Sequence, residues 1–195
     1  MNGLAICTGA YGLEQGLHLA LGDAYRTVVG VEHEASAVAV LVARFEDGSI
    51  PPFPIWDDLR TFPAREWRGR IHILSGGIPC QPHSVAGKRL GAADERDLWP
   101  DTARVIRDVQ PEWVFLENVS NVLAYVFHRW LPELSEMGYV AEAALVQAAD
   151  VGAPHRRERL FVLAHAARGG TGRDTRPQQS QEWADVGSVR SGDVA

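Results

Sequence analysis

A cysteine held between two prolines is the first feature of this sequence that could do chemistry. Cys80 lies in the stretch SGGIPCQPHS, directly after Pro79 and two positions before Pro82. Gly76 and Gly77 separate it from an apolar, strand-like run. Proline stiffens a backbone, and glycine lets another group approach it closely. Because a thiolate is a strong nucleophile, the pattern favours a presented, attacking cysteine over a small core hydrophobe.

Charged side chains follow two later strand-like runs. WVFLENV places Glu117 and Asn118 at its end, and GAPHRRERLFVLA places Arg157 and Arg159 at alternating positions leading into a strand. Alternate strand residues point to one face, so both guanidinium groups are expected on the same side. There they could hold a carboxylate, a base carbonyl or a phosphate. The plainer alternative is a solvated strand entrance.

Glycines and carboxylates at other strand ends are typical of a site for an adenosine-containing cofactor. Gly9 and Gly12 fall where the first strand turns into a helix, so free N–H groups can face a ligand there. Glu32 ends the second strand, where a carboxylate commonly accepts hydrogen bonds from ribose hydroxyls. Asp58, in WDDL, could reach an adenine amino group. The alternatives are a solvated Glu32 and a helix-capping Asp58.

These residues need a fold that brings strand ends to one edge of a sheet. Short apolar runs alternate with segments whose apolar residues recur at helical spacing, which predicts a Rossmann-like, doubly wound α/β fold with a mostly parallel sheet. We expect strands at 4–7, 27–32, 71–75, 113–117, 139–148 and 159–165, and helices at 12–22, 35–45 and 98–109.

Composition narrows the class of protein. With 195 residues, 46% of them hydrophobic, the chain suits one buried domain better than two. Neither a bilayer-spanning run nor a secretory signal is found in the sequence, so we expect a cytoplasmic protein without a membrane partner, with Cys7 and Cys80 as free thiols. The net charge of −6 gives no overall basic surface, although local arginines can still bind nucleic acid.

The character of the chain changes after residue 166. The segment 167–195 is rich in Gly, Arg, Gln, Ser and Asp and poor in apolar residues. Such a composition cannot bury enough apolar surface to fold, so we predict a folded domain at 1–166 and a polar, disordered tail at 167–195.

In their order along residues 1–166, these motifs resemble those of the cytosine-C5 DNA methyltransferase family. CTGAYGLEQGL is similar to the S-adenosylmethionine loop, GGIPCQPHS to the catalytic-cysteine motif, ENV to the glutamate motif and GAPHRRERLFVL to the arginine motif. DERDLWPDTARVI resembles the segment whose leucine lies near the cofactor. The resemblance implies S-adenosylmethionine as methyl donor and no metal. It implies cofactor contacts from Thr8, Gly9, Tyr11, Gly12, Glu32, Asp58, Leu59, Pro79 and Leu98.

The resemblance also implies a mechanism in which Cys80, Glu117, Arg157 and Arg159 are catalytic. Cys80 would add to C6 of cytosine, and Glu117 would hydrogen-bond N3 and the exocyclic amine. The activated C5 would then take the methyl group, while the arginines contact the O2 side of the base. The partner is expected to be DNA with its target cytosine flipped out of the stack, in a bacterial or phage restriction–modification system.

Two departures from the family pattern stand out. Tyr11 stands where the first motif usually has paired glycines, and it could stack on the cofactor or crowd it. Family members also continue past the arginine motif into a target recognition region and two last motifs, which 167–195 does not resemble. We therefore expect that region to be absent or to lie on a second chain. The alternatives are a tRNA cytosine-C5 methyltransferase, an inactive subunit or remnant, and a Rossmann-like domain with other chemistry.

Overall fold

A mixed sheet organises the chain, and the computed structural model describes it over residues 1–79 and 97–167. Within those ranges seven strands lie in the order β3-β2-β1-β4-β5-β7-β6. Strands β1 to β5 run parallel, and β7 runs antiparallel to both of its neighbours. The predicted Rossmann-like, mostly parallel fold is confirmed. The strands are β1 (Asn2–Ile6), β2 (Arg26–Val31), β3 (Ile55–Trp56), β4 (Ile73–Gly77), β5 (Trp113–Val119), β6 (Tyr139–Gln147) and β7 (Glu158–Ala166).

The helices agree with the predicted ones up to β5, and beyond it the sequence prediction missed a helical run. The confirmed helices are α1 (Gly12–Leu21), α2 (Ala35–Glu46) and α3 (Trp99–Val109). After β5 come a 3-10 turn (Ser120–Val122), α4 (Leu123–Tyr125), a π-helix (Val126–Trp130) and α5 (Leu131–Glu136). Apolar residues four positions apart in this run, from Val122 to Leu134, carried the overlooked signal.

One face of the sheet packs against α3 and the run that ends in α5. Alternate strand residues such as Leu4, Leu74 and Leu116 point to this face and are fully buried. Trp99 and Trp130 stack there with ring centroids 4.7 Å apart and planes 12° from parallel. This apolar layer holds the strands in register and fixes the edge where the strands end.

The opposite face carries α1 and α2. Glu14 of α1 accepts a 2.7 Å hydrogen bond from the Ser75 hydroxyl on β4. Leu41 of α2 is buried in a smaller cluster with Tyr11 and Phe53. Helices on both faces are what the doubly wound pattern predicts, and they leave the carboxyl ends of the parallel strands open.

The last two strands depart from the parallel pattern. A short 3-10 turn at Ala148–Val151 and Gly152, with φ of 88°, join β6 to β7. So short a connection allows only antiparallel neighbours. In this hairpin β7 is the strand that pairs with β5, and its first residues reach the edge where β5 ends. Among the described residues, no helix is long and apolar enough to cross a bilayer.

Candidate active site

A cleft of about 450 Å³ opens beside the carboxyl ends of β1, β2 and β4. Ligands of open α/β sheets bind at this edge, and the volume lies within the range of small-molecule sites. Several residues that the sequence assigned to the cofactor line the cleft together. They are Gly9, Glu32, Asp58, Leu59, Pro79 and Leu98.

The floor of the cleft is the turn that joins β1 to α1. Cys7, Gly9 and Tyr11 all have left-handed backbone conformations, with φ of 48°, 55° and 72°. Thr8 is buried, and its hydroxyl donates to the Ala5 carbonyl at 3.2 Å. Its N–H also bonds the Val31 carbonyl at 3.3 Å. Thr8 thus holds the turn against β2, and it is not among the cleft-lining residues.

The Glu32 carboxylate in the cleft is fixed by two backbone hydrogen bonds. One oxygen accepts the Gly9 N–H at 2.7 Å, and the other accepts the Glu34 N–H at 2.8 Å. The residue is 7% exposed, which argues against the alternative of a freely solvated strand-end carboxylate. A carboxylate oriented in this way can accept further hydrogen bonds from a ligand's hydroxyl groups.

Asp58 combines a structural contact with its place in the cleft. Its Oδ1 accepts the Arg60 N–H at 2.9 Å and lies 3.6 Å from the Arg60 guanidinium. The sequence left open a helix-capping role for Asp58, and here it caps a turn at 59–61 instead of a helix. Its neighbour Leu59 is buried and presents an apolar surface to the same cleft.

The Tyr11 side chain is not among the residues that line the cleft, so the structure does not support a ring that stacks on or crowds the cofactor. It is 1% exposed and packs on Phe53 with ring centroids 5.6 Å apart. Its hydroxyl shares hydrogen bonds with Thr27 at 2.9 Å and His18 at 3.0 Å. Gly12 opens α1 and is exposed, outside the set of cleft-lining residues.

Cys7 lines the cleft but is a poor nucleophile there. Burial, together with the negative charge of Glu32, raises the pKa of its thiol to about 12. The thiol therefore stays protonated at neutral pH. Cys80, the nucleophile that the sequence predicts, lies outside the described residues.

A carboxylate–guanidinium pair lies next to the cleft at the ends of β5 and β7. The Arg159 Nε lies 2.8 Å from Glu117 Oε1, and both side chains are 24% exposed. β4 and β5 are neighbouring strands, and Glu117 pairs in register with Gly77 of β4. A β-carbon at Gly77 would lie 3.3 Å from Glu117 Oε2, so the glycine leaves room for this carboxylate.

Asn118 ties the end of β5 to the segment that leads into Cys80. Its amide nitrogen donates to the Ile78 carbonyl at 3.0 Å, and its side-chain oxygen accepts the Val119 N–H at 2.8 Å. The residue is 3% exposed. The contact fixes the backbone just before Pro79, which lines the cleft and is followed directly by Cys80.

Arg157 lies before β7 rather than in it. The alternation of side chains along a strand therefore does not place Arg157 and Arg159 on the same face, contrary to the prediction from the sequence. Arg157 is exposed, and its carbonyl accepts the Ala148 N–H at 2.9 Å. Across residues 1–79 and 97–167, no hydrogen bond or ion pair of its guanidinium is found. Of the predicted catalytic residues, the structure brings Glu117 and Arg159 into contact.

Sequence reasoning missed several residues of the cleft. His33, Glu34 and Arg60 line it beside the predicted residues. His33 and Glu34 directly follow Glu32, and Arg60 follows Asp58 and Leu59, so adjacency to the predicted residues was the available signal. Gly77 was noted as a glycine before Cys80, although its place beside Glu117 depends on the strand register.

Comparisons with known proteins agree with this geometry. The family model for C-5 cytosine-specific DNA methylases matches residues 1–186. The Type II methyltransferase M.NgoMIV of Neisseria gonorrhoeae is 36% identical over 165 residues, which cover 83% of this chain and 50% of that protein. M.NaeI of Lentzea aerocolonigenes, also a Type II methyltransferase, is 36% identical over 163 residues, 82% of this chain and 38% of that protein. The chain thus spans half or less of the length of these curated relatives.

Solved structures share the fold. A DNMT2 mutant of Spodoptera frugiperda superposes with a TM-score of 0.68 at 17% identity, covering 91% of this chain and 53% of the other. The Entamoeba histolytica methyltransferase EhMeth gives a TM-score of 0.70 at 17% identity, covering 89% and 55%.

Proposed function

The chain belongs to the C-5 cytosine-specific DNA methylase family, and from that premise we propose that it is the catalytic part of an enzyme that methylates C5 of cytosine in DNA. The methyl donor would be S-adenosylmethionine. Residues 1–166 would form the catalytic domain. The matched relatives are named Type II methyltransferases, so we place this activity in a bacterial or phage restriction–modification system.

One observation carries the proposal: a cleft suited to an adenosine-containing cofactor shares a strand end with a carboxylate suited to a base. Gly77 and Pro79, at the end of β4, line the cleft. Gly77 also pairs in register with Glu117. A donor in the cleft and a base beside Glu117 would therefore meet next to the residue that follows Pro79, which is Cys80.

The lining residues fit S-adenosylmethionine by their chemistry. Glu32, held by backbone N–H groups, would accept hydrogen bonds from the ribose hydroxyls. Asp58 would accept from the adenine amino group, and Leu59 and Leu98 would pack on the apolar surface of the ligand. When bound, the cofactor supplies an electrophilic methyl group.

Cytosine C5 is too weak a nucleophile to take that group unaided. We propose that the Cys80 thiolate adds to C6, forming a sulfur–carbon bond and moving the electron pair of the C5–C6 double bond towards C5. Glu117, oriented by Arg159, would accept a hydrogen bond from the exocyclic amino group and, when it carries a proton, donate one to N3, which stabilises the electron density pushed into the ring. C5 would then bond to the methyl carbon as S-adenosylhomocysteine leaves. Water would take the C5 proton, and the electron pair of that C–H bond would restore the C5–C6 double bond and expel Cys80 as a thiolate.

The base must leave the double helix for these contacts to form, because C6 and the Watson–Crick edge are inaccessible within a stacked duplex. Arg157, exposed beside this edge, would contact the O2 side of the flipped base or its backbone. We propose that a region other than residues 1–166 reads the target sequence, and a second chain that carries this region is part of the proposal.

Transfer of labelled methyl groups tests the proposal. The chain is incubated with labelled S-adenosylmethionine and, in separate reactions, mixed-sequence duplex DNA and bulk tRNA, with Cys80→Ala as the matched control. The proposal is supported if the label is found in the DNA as 5-methylcytosine and if Cys80→Ala gives no labelled DNA. Label in tRNA alone would replace it with the RNA-directed alternative. Absence of label in both would refute a self-sufficient enzyme and favour a subunit that needs a partner.

A further inference from the structure

The β1–α1 turn adopts a backbone that its own residues do not favour. Cys7 and Tyr11 are left-handed without being glycine, with φ of 48° and 72°. Such conformations persist only where the surrounding structure enforces them. The family pattern has a glycine where Tyr11 stands, so this chain must hold the turn by other contacts.

Arg44 of α2 supplies one of those contacts. Its Nη1 donates to the Ala10 carbonyl at 2.7 Å, within the turn itself. Its Nη2 donates to Gln15 Oε1 at 3.4 Å, and its guanidinium lies 5.8 Å from the Tyr11 ring centroid. A short hydrogen bond from a cation is among the stronger side-chain contacts, and here it joins α2 to the turn.

The Tyr11 side chain supplies the second contact, because it is fixed at both its ring and its hydroxyl. The ring stacks on Phe53 at an interplanar angle of 23°. The hydroxyl shares hydrogen bonds with Thr27 at 2.9 Å and with His18 at 3.0 Å. With the side chain anchored below the sheet edge, the left-handed backbone of Tyr11 cannot relax without breaking these contacts.

We propose that Tyr11 and Arg44 are positioning residues for the cofactor, although neither side chain lines the cleft. They fix the turn that carries the Gly9 N–H, and that N–H holds the Glu32 carboxylate at 2.7 Å. Release of the turn would remove this hydrogen bond and leave the Glu32 carboxylate held only by the Glu34 N–H, so its orientation towards a ligand would be less well fixed. The inference rests on the proposed function in so far as the cleft binds S-adenosylmethionine.

The experiment compares Tyr11→Leu and Arg44→Met with the wild-type chain and with Tyr25→Phe as matched control. Tyr25 also shares a hydrogen bond with the Thr27 hydroxyl, at 3.1 Å, but it precedes β2 and does not belong to the turn. Isothermal titration gives the Kd for S-adenosylhomocysteine at a temperature where every variant is folded. Hydrogen–deuterium exchange of the amides at 9–12, without ligand, reports on the turn itself.

If the turn keeps its binding conformation in about one variant molecule in ten, the Kd for S-adenosylhomocysteine rises about tenfold. We therefore expect about tenfold weaker binding and faster amide exchange in Tyr11→Leu and Arg44→Met. The Tyr25→Phe chain should lose thermal stability while keeping the wild-type Kd, which separates positioning from general destabilisation.

Wild-type exchange at 9–12 in both variants would overturn the inference, and so would an unchanged Kd with faster exchange. Failure of the wild-type chain to bind S-adenosylhomocysteine would instead count against the proposed function. In that case faster exchange in the two variants would still support the anchoring of the turn by Tyr11 and Arg44.

Discussion

Replacing Asn118 with alanine should loosen the segment that leads into Cys80. The Asn118 amide donates to the Ile78 carbonyl at 3.0 Å and accepts the Val119 N–H at 2.8 Å. Ile78 is 4% exposed, so little water can reach its carbonyl to replace the lost contact. Alanine would therefore leave one backbone acceptor and one backbone donor unpaired.

The magnitude follows from those two groups. A buried polar group left without a partner costs about 1–3 kcal/mol, so the pair costs about 2–6 kcal/mol. In a chain of this size each kcal/mol lowers Tm by about 2–4 °C. Val119 is only half-buried, and its N–H can regain some hydration. We therefore expect Asn118→Ala to lower Tm by on the order of 10 °C.

Differential scanning calorimetry on wild type, Asn118→Ala and Asn118→Asp measures this effect. Aspartate keeps the acceptor for the Val119 N–H, but it can donate to the Ile78 carbonyl only when protonated. The Tm deficit of Asn118→Asp relative to wild type should thus shrink as pH falls through the pKa of the new carboxyl group. If Asn118→Ala had the same Tm as the wild type, the role given to this amide would be refuted.

Two further predictions concern buried titratable groups. Burial raises the pKa of Glu14 above its usual value of 4.5. Its contribution to stability is therefore complete below pH 4.5 and is lost as pH rises through the raised pKa. The Tm of Glu14→Gln should rise relative to that of the wild type as pH increases, and a Tm difference that does not change with pH would contradict this. Burial beside Glu32 raises the pKa of Cys7 to about 12. In a Cys80→Ser chain at neutral pH, iodoacetamide should therefore label Cys7 far more slowly than it labels a free thiol. Mass spectrometry measures the labelling, and a rate equal to that of a free thiol would contradict the raised pKa.

The parts of the site that the sequence predicted well depend on strand ends. Apolar runs followed by Glu32, Gly77 and Glu117 place these residues at the carboxyl edge of a parallel sheet, wherever the exact register lies. A shift of two residues, as in β4 relative to the expected 71–75, keeps the side chains on the same face. The sequence therefore predicts that these strand ends share one edge, and the structure adds the pairing of β4 with β5 that brings Gly77 beside Glu117.

The parts that could not be predicted depend on long-range contacts. The direction of the Tyr11 side chain is set by Phe53, Thr27 and His18, which local sequence does not associate with the turn. Arg157 and Arg159 alternate in sequence, but alternation applies only inside a strand, and β7 begins at Glu158. The start of a strand is the feature that sequence patterns locate least well.

The central claim is that Cys80 attacks a cytosine placed beside Glu117 while a methyl donor occupies the cleft. A duplex of mixed sequence containing 5-fluorocytosine tests it most directly, because fluorine cannot leave C5 as a cation and the adduct is trapped. We predict a denaturation-resistant protein–DNA complex that requires S-adenosylmethionine, maps to Cys80 by mass spectrometry and is absent with Cys80→Ala. A trapped complex at Cys7, or one that forms equally in the Cys80→Ala chain, would contradict the claim.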